Sequence, residues 1–124
     1  MKLLLDTHAA LWWLDGGERV GPRASDALVD STNEVLLSAA VVWEVAIKRS
    51  LGKLRAPAGF AAEIQSAGAL PLPVTVAHAE AVEQLPWHHR DPFDRLLIAQ
   101  ALAEGATLVS RDEQFAAYGV PLVW

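Results

Sequence analysis

The chain has 124 residues, enough for one domain with a core of its own. Its 52% hydrophobic and 20% charged content is that of a compact globule and excludes a disordered chain. The absence of cysteine excludes a disulfide scaffold, a thiolate metal site and a cysteine nucleophile, and the net charge of −5 is opposite to the usual charge of a nucleic-acid binder.

No apolar run approaches the ~18 residues that cross a bilayer. Met1-Lys2-Leu3-Leu4-Leu5 meets Asp6 too soon for a signal peptide. The expectation is a soluble, cytoplasmic protein.

Lys2–Leu5 reads as a buried parallel strand. Asp6 lies just past its carboxyl end, the edge where ligands bind in open α/β sheets. Thr7–Leu14 follows as a short helix stopped by Gly16-Gly17; Asp6 is also a candidate cap for it, and His8 reads as a packing or hydrogen-bonding residue. Pro22–Ser31 is a second helix, with Ala24, Ala27 and Leu28 inward and Asp26 and Asp30 in solvent. Glu34–Leu37 is a second strand, and Ser38 caps a helix from Ala39 to about Ser50. On that helix Val41, Val45 and Lys48 form one line, and Ala40, Trp43, Ile47 and Leu51 another. Glu44 falls between them, in an apolar stretch where an unpaired carboxylate costs several kcal/mol. One answer is a salt bridge to Lys48, four residues on; the other is a pocket shared with further acids.

The Gly- and Pro-containing region 51–73 is expected to be a helical hairpin-like insertion. It holds a short helix over Phe60–Ala67 and an extended edge segment, Leu70–Val74. Val76–Leu85 is another helix, with Ala77, Ala81 and Leu85 in register. The histidines of Trp87-His88-His89 would bind a metal only with a third tetrahedral ligand; loop packing or a substrate contact is the alternative. Asp91 then caps a largely buried helix with Pro92 at its first position. Asp94, three residues after the cap, shares its side of the helix start, and Leu97, Ala101 and Leu102 recur at helical spacing. Thr107–Ser110 is a strand ending in Ser110-Arg111-Asp112. A short helix over Phe115, Ala116 and Tyr118 and a last strand, Val120–Trp124, complete the chain. The alternation predicts a single α/β domain over 1–124, a mainly parallel sheet with helices on both faces. Trp12 and Trp13 are candidates for a dimer or partner-protein groove, or for core packing.

Asp6 and Asp112 end strands, and Glu44 and Asp94 sit in the first turns of helices that begin at the same sheet edge, so the four are expected in one crevice. Two carboxylates at ~5 Å repel by roughly 3 kcal/mol at an effective dielectric of ~20. Such a cluster calls for cations; two divalent ions would take the net charge from −5 to −1. Hard oxygen donors without cysteine select Mg²⁺ or Mn²⁺, and the matching chemistry is metal-assisted attack of water on a phosphodiester.

These residues carry a resemblance. Asp6 in Leu-Leu-Leu-Asp-Thr-His, Glu44 in Val-Val-Trp-Glu-Val-Ala-Ile-Lys, Asp94 in Asp-Pro-Phe-Asp-Arg-Leu-Leu-Ile-Ala-Gln-Ala, and Asp112 in Thr-Leu-Val-Ser-Arg-Asp together resemble a PIN domain. More narrowly, they are similar to the VapC-type ribonuclease toxins of bacterial toxin–antitoxin pairs, over nearly the whole chain. The resemblance implies a three-layer fold around a five-stranded parallel sheet, a homodimer, Mg²⁺- or Mn²⁺-dependent endoribonuclease activity, and neutralisation by a cognate VapB-like antitoxin. Asp6, Glu44 and Asp94 match the family's core metal-binding acids, and Asp112 the more variable fourth, which helps the metal through water. Asp91 reads as the helix cap, with a place in the site as the alternative. Thr7 and Ser110 are candidates for orienting a carboxylate or water. Lys48, Arg90, Arg95 and Arg111 are candidates for phosphate contact. A competing class is a PIN-like module that binds RNA or a partner without cutting it. A phosphate-accepting signalling receiver is a weaker competitor, because Asp6 stands alone and residues 53–59 hold no Asp.

Overall fold

The computed structural model describes all residues from Met1 to Trp124. In chain order it comprises β1 (Lys2–Leu5), α1 (Thr7–Leu14), α2 (Pro22–Val29), β2 (Glu34–Ser38), α3 (Ala39–Ser50), α4 (Phe60–Ser66), β3 (Leu70–Leu72), α5 (Val76–Ala81), α6 (Pro92–Glu104), β4 (Thr107–Val109) and β5 (Leu122–Val123). A 3-10 turn over Val82–Gln84 extends α5, and another over Glu113–Tyr118 joins β4 to β5. The strands form one parallel sheet in the order β3-β2-β1-β4-β5.

β1 is the centre of the sheet, with Leu3 opposite Val35 on one side and Thr107 on the other. Leu3, Leu4 and Leu5 are each 0% exposed. Successive strand side chains point to opposite faces, so helices cover both faces of this strand. That is why β1 reads as an unbroken apolar run rather than an alternating one. Phe115, Leu37, Ile64, Ile98 and Leu108 complete the deepest core. Trp12 and Trp13 are partly buried and pack against it. No helix is long and apolar enough to cross a membrane.

Region 51–73 departs from the expected helical hairpin. Residues 51–59 are turn and irregular backbone, and α4 is the only helix. β3 is a strand of the sheet itself, with Pro71 opposite Leu37 of β2. Proline has no N–H to donate, and the outermost strand is where that is tolerated. The glycines and prolines thus belong to the crossover between two neighbouring strands.

Three helix faces also differ from the expected ones. On α3 the buried line is Ala40, Val41, Glu44 and Val45, while Trp43 and Leu51 are exposed. On α5 it is His78 rather than Ala77 that turns inward, closing a capping box with Thr75. On α6 Leu102 is exposed, while Arg95 and Gln100 are buried. Gln100 accounts for its burial through its partners. It accepts from the Ser38 hydroxyl and donates to the Pro73 carbonyl at 3.2 Å, tying α6 to the end of β2. Gly105 closes α6 in the left-handed conformation at φ 63° and donates its N–H to Ala101.

Candidate active site

Strand register brings the first residues together. Leu5 of β1 lies opposite Val109 of β4, and the Asp6 amide donates to the Val109 carbonyl at 3.2 Å. The chain therefore leaves the sheet at one level on both strands, with Asp6 and Thr7 on one side and Ser110, Arg111 and Asp112 on the other. Asp6 caps α1, accepting from the Ala9 amide at 2.8 Å. Ser110 is buried beside it and accepts from the Asp112 amide at 3.0 Å. Asp112 in turn caps the 3-10 turn, accepting from the Gln114 amide at 2.9 Å.

The helices supply the rest. Glu44, 7% exposed, projects from the buried line of α3. One of its oxygens accepts from the Thr7 hydroxyl at 2.7 Å and the other from the Lys48 ammonium at 2.5 Å. Both readings of Glu44 therefore hold: it is paired with Lys48, and it also faces the other acids. Asp91 caps α6, accepting from the Asp94 amide at 3.0 Å. It is also a wall of the pocket, so the cap and the site are the same residue. Asp94 Oδ2 lies 3.2 Å from Nε2 of His89, and that nitrogen is 3.7 Å from Asp112 Oδ2. Asp6, Thr7, Glu44, Lys48, Asp91, Asp94 and Asp112, with His8 and Phe115, line one cavity of about 180 Å³.

The electrostatics follow from enclosing so many acids. Burial pushes the Asp94 carboxyl up to about 7; the Asp91 charge adds to the rise, His89 opposes it, and Glu44 and Asp6 raise it further. Burial also holds Asp6 above the ordinary carboxylate value, against the opposing pull of Ser110, the Ala9 amide and His8. The hydrogen bond from Lys48 to Glu44 keeps its ammonium above the usual lysine value despite some burial, and the Glu44, Asp91 and Asp94 charges reinforce it. No three acids or imidazoles converge at ligating distance on one point. Each carboxylate is engaged instead by a cap, a hydroxyl, the lysine or the imidazole. The donor set is nonetheless one that fits a hard divalent cation: carboxylate oxygens, no sulfur, and more negative charge than Lys48 and His89 can balance.

The basic candidates separate. Lys48 lines the acid cavity, and Arg111 lines the cavity next to it. Arg90 is exposed and lies outside the lining. Arg95 is not a phosphate contact: it is 3% exposed. Its guanidinium donates to the carbonyls of Pro86 (2.9 Å), Val82 (3.1 Å) and Leu85 (3.2 Å), and it stacks on Trp87 at 3.8 Å. The three carbonyls converge on one side chain, and a guanidinium fork suits several at once. Two histidines stand closer to the site than the sequence suggests: His8, expected to pack, lines the cavity, and His89, expected in loop packing or at substrate, lies against Asp94 and Asp112; for His89 the cause lies far along the chain. The His89 amide donates to the Tyr118 hydroxyl at 2.7 Å and its ring stacks on Phe115. Its orientation is thus set by residues from 26 to 29 positions later, which no local pattern reveals.

Comparison with known proteins bears on the fold that carries this geometry. The family model described as PIN domain matches residues 3–121. Ribonuclease VapC22 of Mycobacterium tuberculosis is 29% identical over 126 aligned positions, which cover 96% of this chain and 93% of that protein. Among solved structures, VapBC2 from Rickettsia felis bound to a promoter DNA fragment matches with a TM-score of 0.73 at 17% identity, covering 100% of this chain and 99% of that one. DNA-bound VapBC from Salmonella typhimurium matches at 0.71 and 16%, covering 99% and 97%. At these identities the structural matches speak to the fold alone.

Proposed function

This chain belongs to the PIN domain family, and from that premise we propose that it is a metal-dependent endoribonuclease and the toxin of a toxin–antitoxin pair. The observation that carries the reading is the gathering of Asp6, Glu44, Asp91, Asp94 and Asp112 around one cavity at the carboxyl edge of the sheet. They come from four separate junctions where a strand or loop passes into a helix or 3-10 turn, and a fold gains no stability from bringing like charges together. The similarity to a protein named as a VapC ribonuclease supports the same reading.

Asp6, Glu44 and Asp94 would hold Mg²⁺ or Mn²⁺, with Asp112 as a fourth acid. The chemistry such an ion supplies is Lewis-acid polarisation of the phosphodiester and a water of lowered pKa. Hydrolysis adds water across a P–O bond of the RNA, one fragment keeping the phosphate and the other leaving with a hydroxyl. The chain's own residues prepare that step. Thr7 and Lys48 fix the two oxygens of Glu44. Ser110 supports Asp6, and His89 spans Asp94 and Asp112. Lys48 also presents a cation at the cavity wall for a phosphate oxygen. We further propose a VapB-like antitoxin as the protein partner, a homodimer as the assembly, and the cytoplasm as the place where the substrate is met.

A catalytically silent module that binds RNA or a partner draws on one observation, that no three acids stand at ligating distance together. One experiment separates the two. Purified total RNA is incubated with Mg²⁺, with Mn²⁺ and with EDTA, using wild type and Asp94→Ala. The nuclease reading expects cutting by wild type with metal only. Equal cutting by Asp94→Ala would remove Asp94 from the site, and no cutting under any condition would favour the silent module.

A further inference from the structure

Beside the acid cavity lies a second one of about 360 Å³, lined by Asp6, His8, Trp12, Arg111 and Asp112. The two share Asp6, His8 and Asp112 as a common wall. We propose that His8, Trp12 and Arg111 form a subsite for one unpaired nucleobase of single-stranded RNA, the base next to the phosphate being cut. The inference rests on the nuclease reading above and adds where the substrate lies.

The argument begins with how the sequence folds here. His8 and Trp12 are four residues apart on α1, so they stand one above the other on a single helix face. Their ring centroids are 5.4 Å apart. Trp124 packs behind, 5.7 Å from Trp12, and fixes the indole. Arg111 follows β4, the strand next to β1, and its guanidinium carbon sits 4.9 Å from the centre of the Trp12 ring. Arg111 belongs to none of the ion pairs in the molecule. Its planar donors therefore remain free beside a pair of aromatic rings, on the rim of an acid pocket, in a protein of net charge −5.

That combination matches one ligand chemistry. Every nucleobase has a flat π face, which stacks on an indole or a guanidinium without regard to sequence. The guanidinium also reaches a phosphate oxygen in the same contact. The cavity is at the small end of organic-ligand sites, the size of one base with its sugar rather than of a duplex. A duplex would keep its bases stacked on each other, so the subsite selects an unpaired nucleotide.

The test measures binding separately from cleavage. In an Asp94→Asn background with Mg²⁺, a single-stranded ten-nucleotide RNA and an abasic sugar–phosphate chain of the same length are titrated, and anisotropy is followed. Arg111→Gln, at an exposed position, and Trp12→Leu are compared with the parent, with Trp12→Phe as the variant that keeps a stacking ring. We expect Arg111→Gln and Trp12→Leu to weaken RNA binding about tenfold, Trp12→Phe to restore most of it, and the abasic chain to bind the parent and both Trp12 variants alike. Equal binding of RNA by the parent and Arg111→Gln overturns the subsite, as does abasic binding as tight as RNA. If the binding results hold while total RNA is never cut, the nuclease reading fails and the subsite stands.

Discussion

At Asp94 a carboxyl group that would titrate near 3.8 in solvent is held up to about 7, chiefly by burial and then by the Asp91 charge. In the unfolded chain it ionises at its ordinary value. Between these two values the folded protein keeps a proton that the unfolded chain has lost. This group therefore favours folding most at the acid end of the window, and its contribution falls as pH rises towards the folded value. Urea unfolding in EDTA across that window should show Asp94→Asn gaining stability relative to wild type as pH rises. A constant gap would mean that Asp94 titrates alike in both states. The acids that line the cavity are legible because each occupies a recognisable position, past a strand end or in a helix's first turns. Arg95 was misjudged because a charged residue beside a helix start reads as solvated, while the carbonyls that bury it have no sequence signature.

The end of α5, the loop that follows it and the start of α6 behave as one element because of a single side chain. Arg95 reaches back from α6 to the carbonyls of Val82, Leu85 and Pro86, and the same loop carries His89 up against Asp94 and Asp112. Hydrogen bonds to a charged group are each worth about 1.5–3 kcal/mol. Arg95→Met should therefore lower unfolding stability by at least ~3 kcal/mol, and Arg95→Lys should recover little, because an ammonium lacks the planar fork. Denaturant midpoints would measure both; a loss below ~1 kcal/mol for Arg95→Met would show that water replaces the guanidinium. The strands and most helices were legible from apolar runs, caps and prolines. The facing of α3 and α5 was not: Trp43 and His78 follow their neighbours rather than their hydrophobicity, Trp43 meeting Phe93 edge-on and His78 facing Glu104. The return of region 51–73 to the sheet is not legible, because proline and glycine mark a break without saying whether the chain rejoins it.

Across the whole molecule, the cation site proposed above should make the folded state responsive to divalent cations. An ion that binds the folded cavity and not the unfolded chain stabilises by about 2.7 kcal/mol at a hundredfold excess over its Kd. Mg²⁺ should raise the melting temperature by several degrees, NaCl of equal ionic strength should raise it less, and Asp94→Ala should lose the difference. Calorimetry would check this, and an equal response to both salts would reduce the effect to general screening. The arrangement of the sheet has a consequence in time as well as space. β1 is central, and its two neighbours are β2, only about thirty residues on, and β4, with Leu3 opposite Thr107. Asp6 and Glu44 can meet early in synthesis, whereas Asp112 joins them only after β4 has closed the longest loop in the sheet. Chains grow at about 5–20 residues per second and such distant pairings form late. Every shorter nascent chain thus lacks part of the acid cluster, so whatever chemistry the cluster performs waits until the last strands have left the ribosome.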